Sequence, residues 1–195
     1  MRYVGRNVVF GPGCRIKGCR YISIDDHSVL ALGCTLVAGP IDKHAGGAEY
    51  REKINDDFRG ESGTIVIGKH AYLSKNCYLI GNGGIDIGDE CTLTPNTILL
   101  SMTNHYASFQ KPSDRSVGGA HEIPRRQCFT IGPIVLGKNC FIALNSVILP
   151  GASILEDSSV LMNSVVSGGR IGPNAVVAGN RAVFVKQRYT DPTQP

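Results

Sequence analysis

The chain has 195 residues, a formal net charge of +4, 42% hydrophobic residues and 18% charged residues. This composition indicates one globular domain over residues 1–195 and excludes a disordered chain. No run of like charge suggests a nucleic-acid partner, and no segment is apolar enough for membrane insertion. The N-terminus lacks a signal-peptide pattern, so we expect a cytoplasmic protein whose seven cysteines are free thiols.

A six-residue repeat begins near the N-terminus and continues through most of the chain. Its apolar positions are Val4, Phe10, Ile16, Ile24, Leu30, Leu36, Ile67, Leu73, Leu79, Ile87, Leu93, Leu99, Leu136, Ile142, Ile148, Ile154, Val160 and Val166. A helix has no period of six, whereas a short strand followed by a tight turn does. The position four residues later is mostly small, and it holds Cys14, Cys34, Cys77, Cys91 and Cys140. We interpret these cysteines as corner fillers, with a metal site as the alternative.

The interruptions of the repeat always follow a third unit. Two extra residues come after Ile16 and after Leu79, 25 come after Leu36, and 31 come after Leu99. Three units therefore form one turn, and insertions occur at one corner. The pattern predicts an all-β, three-sided parallel β-coil of about six to seven coils, with insertions at about 38–64 and 100–135 and an irregular C-terminal tail. In the first insertion, "AEYREKINDDF" contains good helix formers, with Glu49 and Lys53 spaced for a helical pair.

These hexads and the segment "VILPGASILEDSSVLMNSVVSGGRIGPNAVVAGN" resemble the hexapeptide-repeat acyltransferases. Within that superfamily the chain is similar to the branch of galactoside, maltose and xenobiotic acetyltransferases and polysaccharide O-acetyltransferases. The resemblance implies a left-handed parallel β-helix and a homotrimer. It also implies an enzyme that uses acetyl-CoA as acyl donor, needs no metal, and acetylates a hydroxyl of a saccharide, either a surface polysaccharide or a sugar precursor.

The segment Thr103-Asn104-His105 opens the second insertion, where relatives carry Thr-Gly-His or Asn-His. The resemblance therefore implies that His105 is the general base. An imidazole, whose usual pKa is near 6.5, can take the proton of an attacking hydroxyl and pass it to the leaving thiolate. We expect direct transfer without an acyl-enzyme, and a carboxylate or backbone carbonyl that orients the ring. Asp114 and Glu122 are candidates for that carboxylate, and the sequence does not choose between them.

The resemblance assigns further residues to the two ligands. The expected coenzyme residues are Phe141, Ala143, Leu144, Met162, Ser167, Arg170, Arg181 and Lys186. The expected acceptor residues are Asn76, Asn82 and Asn104, and we add His121 because it lies in the same insertion as His105, not because of the resemblance. An Asn at Asn76 or Asn82 also suits a tight turn with left-handed backbone geometry, which is the alternative interpretation. We expect the two insertions to wall the acceptor site together, with a possible reach to a neighbouring subunit.

Three other functions are consistent with the pattern. The same chemistry could act on a nucleotide-linked amino sugar or an antibiotic. A zinc enzyme similar to γ-class carbonic anhydrases shares the fold, and His70 and His105 are suitably spaced, but Gln110 occupies the place of a third ligand. A non-enzymatic β-helix scaffold is the last alternative, because many chemistries share this fold.

Overall fold

The computed structural model describes residues 1–43, 48–105 and 127–190, and nearly all of its regular structure is short β-strands. Sheet A contains β1 (Tyr3–Val4), β4 (Ile22–Ile24), β8 (Ile65–Ile67), β11 (Ile85–Ile87), β16 (Ile134–Leu136), β19 (Ala152–Ile154) and β22 (Gly169–Ile171). Sheet B contains β2 (Val9–Phe10), β5 (Val29–Leu30), β9 (Tyr72–Leu73), β12 (Thr92–Leu93), β17 (Phe141–Ile142), β20 (Ser159–Val160), β23 (Ala175–Ala178) and β24 (Val183–Gln187). Sheet C contains β3 (Arg15–Lys17), β6 (Thr35–Val37), β10 (Tyr78–Ile80), β13 (Ile98–Leu100), β18 (Val147–Ile148) and β21 (Val165–Val166).

The chain visits sheets A, B and C in turn, so each circuit forms one three-sided coil. Strands of successive coils pair in parallel and in register, as Leu36, Leu79 and Leu99 do in sheet C. Six complete coils are followed by β22 and β23, which start a seventh. The expected all-β, left-handed parallel β-helix is confirmed. We call its edges the A–B, B–C and C–A corners.

The repeated apolar positions fill the interior, as the six-residue period predicts. In the second to sixth coils all of these side chains are buried, and they form one continuous core. The first coil differs, because no coil stacks above it. Val4 is 44% exposed and Phe10 is 40% exposed, although both hold the inward position. The repeat therefore predicts orientation correctly, and burial only where a neighbouring coil is present.

The A–B and B–C corners contain residues in left-handed backbone geometry. At the B–C corner of the third to sixth coils these are Asn76, Asn96, Asn145 and Asn163, with φ between 57° and 60°. Their amides bond from coil to coil: Asn96 Nδ2 donates to Asn145 Oδ1 at 3.1 Å, with similar bonds above and below. Asn tolerates this geometry better than most residues, which explains its recurrence at this corner. We call this row the Asn ladder.

The seven cysteines are free thiols. Cys14, Cys34 and Cys77 stack at the B–C corner, whereas Cys91 and Cys140 stack at the A–B corner. The hydrogen bond with Cys34 and burial both raise the pKa of the Cys77 thiol. Among the described residues, no group of three His, Cys, Asp or Glu side chains is arranged to hold a metal ion. The geometry therefore matches the corner-filler interpretation.

Two local expectations are wrong. Glu49–Glu52 is not helical but forms strand β7, because it pairs with a strand of the second insertion and tertiary pairing outweighs helix propensity. The C-terminal tail is not irregular over Val183–Gln187, which forms β24 antiparallel to β23; residues 191–195 lie outside the described residues. The one helical element of the described chain is the 3₁₀ turn Cys19–Tyr21. No helix in this part of the chain is long and apolar enough to cross a membrane.

Candidate active site

His105 lies at the end of a strand that leaves the C–A corner of the fourth coil. Strand β13 ends at Leu100, Ser101 turns the chain, and β14 (Met102–His105) runs outward. Ser101 is fully buried and fastens this turn to the coil above. Its hydroxyl donates to the carbonyl of Ile80 at 2.7 Å and accepts the amide N–H of Gly83 at 2.8 Å. These buried polar contacts fix the turn from which the strand that carries His105 begins.

The outward strand forms a small separate sheet with the rest of its insertion. Strand β14 pairs antiparallel with β15 (Cys128–Ile131), and we call these two strands the flap. The amide N–H of Gly132, which follows β15, donates to the carbonyl of Ser101 at 2.9 Å and closes the base of the flap. His105 is half-buried and Asn104 is exposed. His121, Asp114 and Glu122 lie outside the described residues.

The first insertion adds a third strand to the flap. Strand β7 pairs in parallel with β15, so His105, Cys128 and Glu49 stand in one row across three strands. Directly opposed residues share a face of a sheet, and the Cys128 thiol donates to the Glu49 carboxylate at 3.4 Å. On the other face, Tyr50 and Phe129 stack with ring centroids 5.4 Å apart. The two insertions therefore meet in one sheet, while their expected role as walls of the acceptor site stays a prediction.

The remainder of the first insertion runs along the C–A corner, and we call residues 48–64 the strap. The Lys53 amide donates to the carbonyl of Ile131 at 2.7 Å, and the Asn55 side chain donates to the carbonyl of Ala152 at 3.1 Å. Further on, Asp57 accepts hydrogen bonds from Ser153 at 2.5 Å and from Arg170 at 3.1 Å. These bonds lower the pKa of the Asp57 carboxyl. The strap thus crosses the fifth and sixth coils and reaches the seventh.

A cavity of about 260 Å³ lies between the strap and the base of the flap, lined in part by Phe58, Glu52 and Ile131. Glu49 and Cys128 stand in the row of His105, and Glu52 and Ile131 lie three residues further along the same two strands. Because side chains alternate between the faces of a sheet, Glu52 and Ile131 lie on the other face. The cavity therefore opens on the face of the sheet opposite to His105. Both insertions wall this cavity, but the described residues do not join it to the imidazole, so its role in acceptor binding stays a prediction.

The residues expected to contact the coenzyme fall into two groups. Phe141 lies on sheet B, and Ala143, Leu144 and Met162 lie beside it at the B–C corner. Phe141, Leu144 and Met162 are exposed, and Met162 is the most exposed of them, at 63%. They form an apolar surface suited to an extended pantetheine arm. Ala143 is buried beneath this surface.

The second group contains the C-terminal cations, which do not form one cluster. Arg170 pairs with Asp57, and Arg181 Nε donates to the Ser167 hydroxyl at 3.3 Å at the C–A corner. Lys186 is exposed on β24 at the edge of sheet B. Lys186 is thus separated from Arg170 and Arg181, and the role of all three in binding the coenzyme stays a prediction.

The expected acceptor residues also separate. Asn82 lies at the C–A corner near the flap, where its amide donates to the carbonyl of Gly39 at 2.9 Å. Asn76 belongs to the Asn ladder at the B–C corner, with φ of 58°. His70, considered as a zinc ligand together with His105, stacks on His27 at the A–B corner with centroids 5.0 Å apart. The structure thus brings Asn82, Asn104 and His105 to one corner and leaves Asn76 and His70 at the others.

Sequence reasoning missed two features of this corner. Glu49 shares a row with His105 although its local sequence favours a helix. Lys53 extends along three coils, with its ammonium donating to the carbonyl of Ser167 at 3.0 Å. The only sequence signal for this path of Lys53 is that glycine recurs at the C–A corner, as Gly132, Gly151 and Gly168, and leaves room for a side chain that crosses the coils.

The hexad repeat, the three stacked sheets and the Thr103-Asn104-His105 segment make this chain similar to the hexapeptide-repeat acyltransferases. No protein-family model matches the chain. Galactoside O-acetyltransferase of Escherichia coli (strain K12) is 30% identical over 115 residues, which cover 59% of this chain and 50% of that protein. The acetyltransferase WcaF of the same strain, named for colanic acid biosynthesis, is 26% identical over 126 residues, covering 64% of this chain and 59% of that protein.

The chain thus spans about half to three fifths of these curated relatives. Among solved structures, the N-acyltransferase AntD from Bacillus cereus, in complex with dTDP and coenzyme A, has a TM-score of 0.75 at 20% identity. The alignment covers 97% of this chain and 85% of that one. This similarity shows the fold, and the curated relatives support the predicted acetyltransferase branch.

Proposed function

We propose that the protein is an acetyl-CoA-dependent O-acetyltransferase that acts on a hydroxyl of a saccharide, with His105 as the general base. The observation that carries this proposal is the placement of Thr103-Asn104-His105 on a strand anchored by Ser101 at the insertion corner. The similarity to galactoside O-acetyltransferase supports the reaction class. The similarity to WcaF supports a polysaccharide or its precursor as acceptor.

In the proposed reaction, the acceptor oxygen attacks the thioester carbonyl while the imidazole of His105 takes the hydroxyl proton. The tetrahedral intermediate then collapses, the carbon–sulfur bond breaks, and the imidazolium returns the proton to the leaving thiolate. Backbone N–H groups near the flap are suited to stabilise the oxyanion. Among the described residues, Glu49 is a carboxylate in the row of His105. The Cys128 thiol stands between the two residues and donates to Glu49, so this carboxylate can act on the orientation of the imidazole through Cys128.

The proposal includes a homotrimer and a cytoplasmic location. The exposed apolar side chains Phe141, Leu144, Leu161 and Met162 support a surface that is covered by the pantetheine arm or by a neighbouring subunit. The free thiols support a reducing compartment. Sites between subunits would place the His105 flap of one protomer against the coils of the next.

A second candidate is N-acylation of a nucleotide-linked amino sugar. It is favoured by the near-complete superposition on AntD, which has also been solved with dTDP-4-amino-4,6-dideoxyglucose and coenzyme A, at a TM-score of 0.74. The two candidates make different demands on His105. A neutral amine is already a good nucleophile, whereas a sugar hydroxyl holds its proton until a base removes it.

The decisive experiment replaces His105 with Ala and measures acetyl transfer to a panel of free saccharides, polysaccharide precursors and nucleotide-linked amino sugars. We expect a loss of roughly 10²–10⁴-fold in kcat/KM with a hydroxyl acceptor. His27→Asn is the matched control, because His27 is exposed at the A–B corner and Asn tolerates its φ of 61°. Retention of more than about a tenth of the rate by His105→Ala would refute the general-base assignment.

A further inference from the structure

The side chain of Lys53 lies in a track formed by three glycines of successive coils at the C–A corner. A Cβ atom on Gly132 or on Gly151 would lie 2.8 Å from the Cβ of Lys53. A Cβ on Gly168 would lie 3.1 Å from Nζ of Lys53. Any larger residue at these positions would displace the lysine. The aliphatic stem is therefore held in place along the coils, and the ammonium is delivered to one defined point.

That point is Ser167, where a second cation converges. The ammonium of Lys53 donates to the carbonyl of Ser167 at 3.0 Å, and Nε of Arg181 donates to its hydroxyl at 3.3 Å. Neither cation has an ion pair among the residues that the structure describes. By contrast, Lys43 and Arg170, at the same corner, are paired with Glu52 and Asp57.

The electrostatic setting of Lys53 is positive. Burial lowers the pKa of its ammonium first, and the charges of Arg51 and Arg181 lower it further. A bound anion would offset this repulsion. Holding a lysine against other cations without a carboxylate is unfavourable for the protein alone, so the arrangement indicates a ligand that supplies negative charge.

We propose that Lys53, Arg181 and Ser167 form a phosphate-binding site at the C–A corner. A fixed ammonium, a guanidinium and a hydroxyl can together contact several oxygens of one phosphate group, and little side-chain entropy remains to be lost. Ser167 follows β21, two strands beyond β13 in sheet C, so the site is about 10 Å along the coil axis from the base of the flap. The phosphate can therefore belong to a ligand that also reaches His105.

Two ligands of the proposed function carry such a phosphate, namely coenzyme A and a nucleotide-linked acceptor. The choice between them rests on that proposed function, whereas the anion site itself does not. Titration calorimetry separates these sources. Inorganic pyrophosphate tests the site alone, coenzyme A tests the donor, and dTDP tests the nucleotide part of an acceptor.

The test compares the wild-type protein with Lys53→Met and Arg181→Gln. Met keeps an unbranched stem in the glycine track and removes the charge, and Arg181→Gln, at an exposed position, covers the case in which Lys53→Met fails to fold. Lys69→Met is the matched control, because Lys69 is an exposed lysine at the A–B corner. We expect both site variants to weaken binding of pyrophosphate by roughly tenfold or more, and Lys69→Met to bind as the wild type does.

Coenzyme A and dTDP are the two larger probes. If the affinity for one of them falls in both site variants by about the factor found for pyrophosphate, that ligand supplies the phosphate that occupies the site. The proposal is overturned when the wild-type protein binds none of the three probes, or when the site variants bind them as tightly as Lys69→Met does. Its failure is distinct from failure of the transferase assignment, because loss of acetyl transfer in His105→Ala does not depend on Lys53. Conversely, pyrophosphate binding without transfer to any acceptor would retain the site and reject the enzyme.

Discussion

Replacing Ser101 with Ala tests how the His105 flap is attached to the coil. Ser101 is fully buried, and its hydroxyl bridges the carbonyl of Ile80 and the amide of Gly83. The Ile80 carbonyl also accepts the backbone N–H of Ser101 at 2.9 Å, so it keeps a partner in the variant. The buried Gly83 amide does not keep one. One unsatisfied buried group costs about 1–3 kcal/mol, which is the expected loss in the free energy of unfolding.

Ser28 provides a matched control at the A–B corner. It is also fully buried, and its hydroxyl donates to the Gly68 carbonyl at 2.7 Å and accepts the Ala71 amide at 3.2 Å. In the described chain neither of these backbone groups has a second hydrogen-bond partner. Ser28→Ala therefore leaves the buried Ala71 amide unsatisfied, at about 1–3 kcal/mol, and in addition removes the described partner of the partly buried Gly68 carbonyl, so it should cost more than Ser101→Ala. It does so far from the flap, because the A–B and C–A corners are different edges of the coil.

The two variants should reverse their order between two assays. Urea unfolding followed by circular dichroism should rank Ser28→Ala as less stable than Ser101→Ala. Acetyl transfer, measured at a temperature where both variants are folded, should fall roughly tenfold or more in Ser101→Ala, because small displacements of a catalytic group are costly. Ser28→Ala should stay within about twofold of the wild type. If the activities instead follow the stabilities, Ser101 does not position the flap, and the reasoning is refuted.

Two further predictions concern the strap and the corners. The Arg170 and Ser153 contacts hold the pKa of Asp57 below its ordinary value, so they stabilise the folded protein above a pH of about 4 and the stabilisation is lost as pH falls through the folded pKa. Asp57→Asn should therefore be less stable than the wild type at neutral pH, and this difference should shrink as the pH falls below about 4, so that the variant shows a flatter dependence of stability on pH; an unchanged pH profile would contradict this. At the centre of the Asn ladder, Asn96 has φ of 60°, so Asn96→Ala should lose about 1–2 kcal/mol by thermal unfolding and Asn96→Gly clearly less. Equal losses in the two variants would mean that the side-chain bonds to the neighbouring coils, not backbone geometry, dominate.

Much of the fold could be predicted from the sequence, because each coil repeats one physical requirement. An inward apolar residue every six positions and a small or left-handed residue at each corner produce a period that is visible without any relative. The breaks in that period identify the C–A corner, and with it the position of His105. The exposed Val4 and Phe10 could not be predicted in the same way, because burial depends on a neighbouring coil that the first repeat lacks.

The structure of the insertions was predicted less well, because it depends on contacts between distant residues that leave no periodic pattern in the sequence. The residues around Glu49 favour a helix in isolation, and they become a strand only because β15 offers an unpaired edge. The path of the Lys53 side chain could not be predicted for the same reason, because the three glycines that form its track belong to different coils and come together only in the folded chain. Lys186 is separated from Arg170 and Arg181 because β24 reverses direction and lies at the edge of sheet B, whereas the two arginines are at the C–A corner.

The flap and the strap complete each other, and this explains why both insertions leave the same corner. A two-stranded hairpin such as β14 and β15 is marginally stable by itself, and an open strand edge invites unwanted pairing. Strand β7 covers that edge, and the rest of the strap fastens it to the fifth, sixth and seventh coils through Asn55 and Asp57. The geometry of His105 therefore depends on residues that precede it by about fifty positions in the sequence. Shortening the strap should disturb the flap even though no residue of the flap has changed.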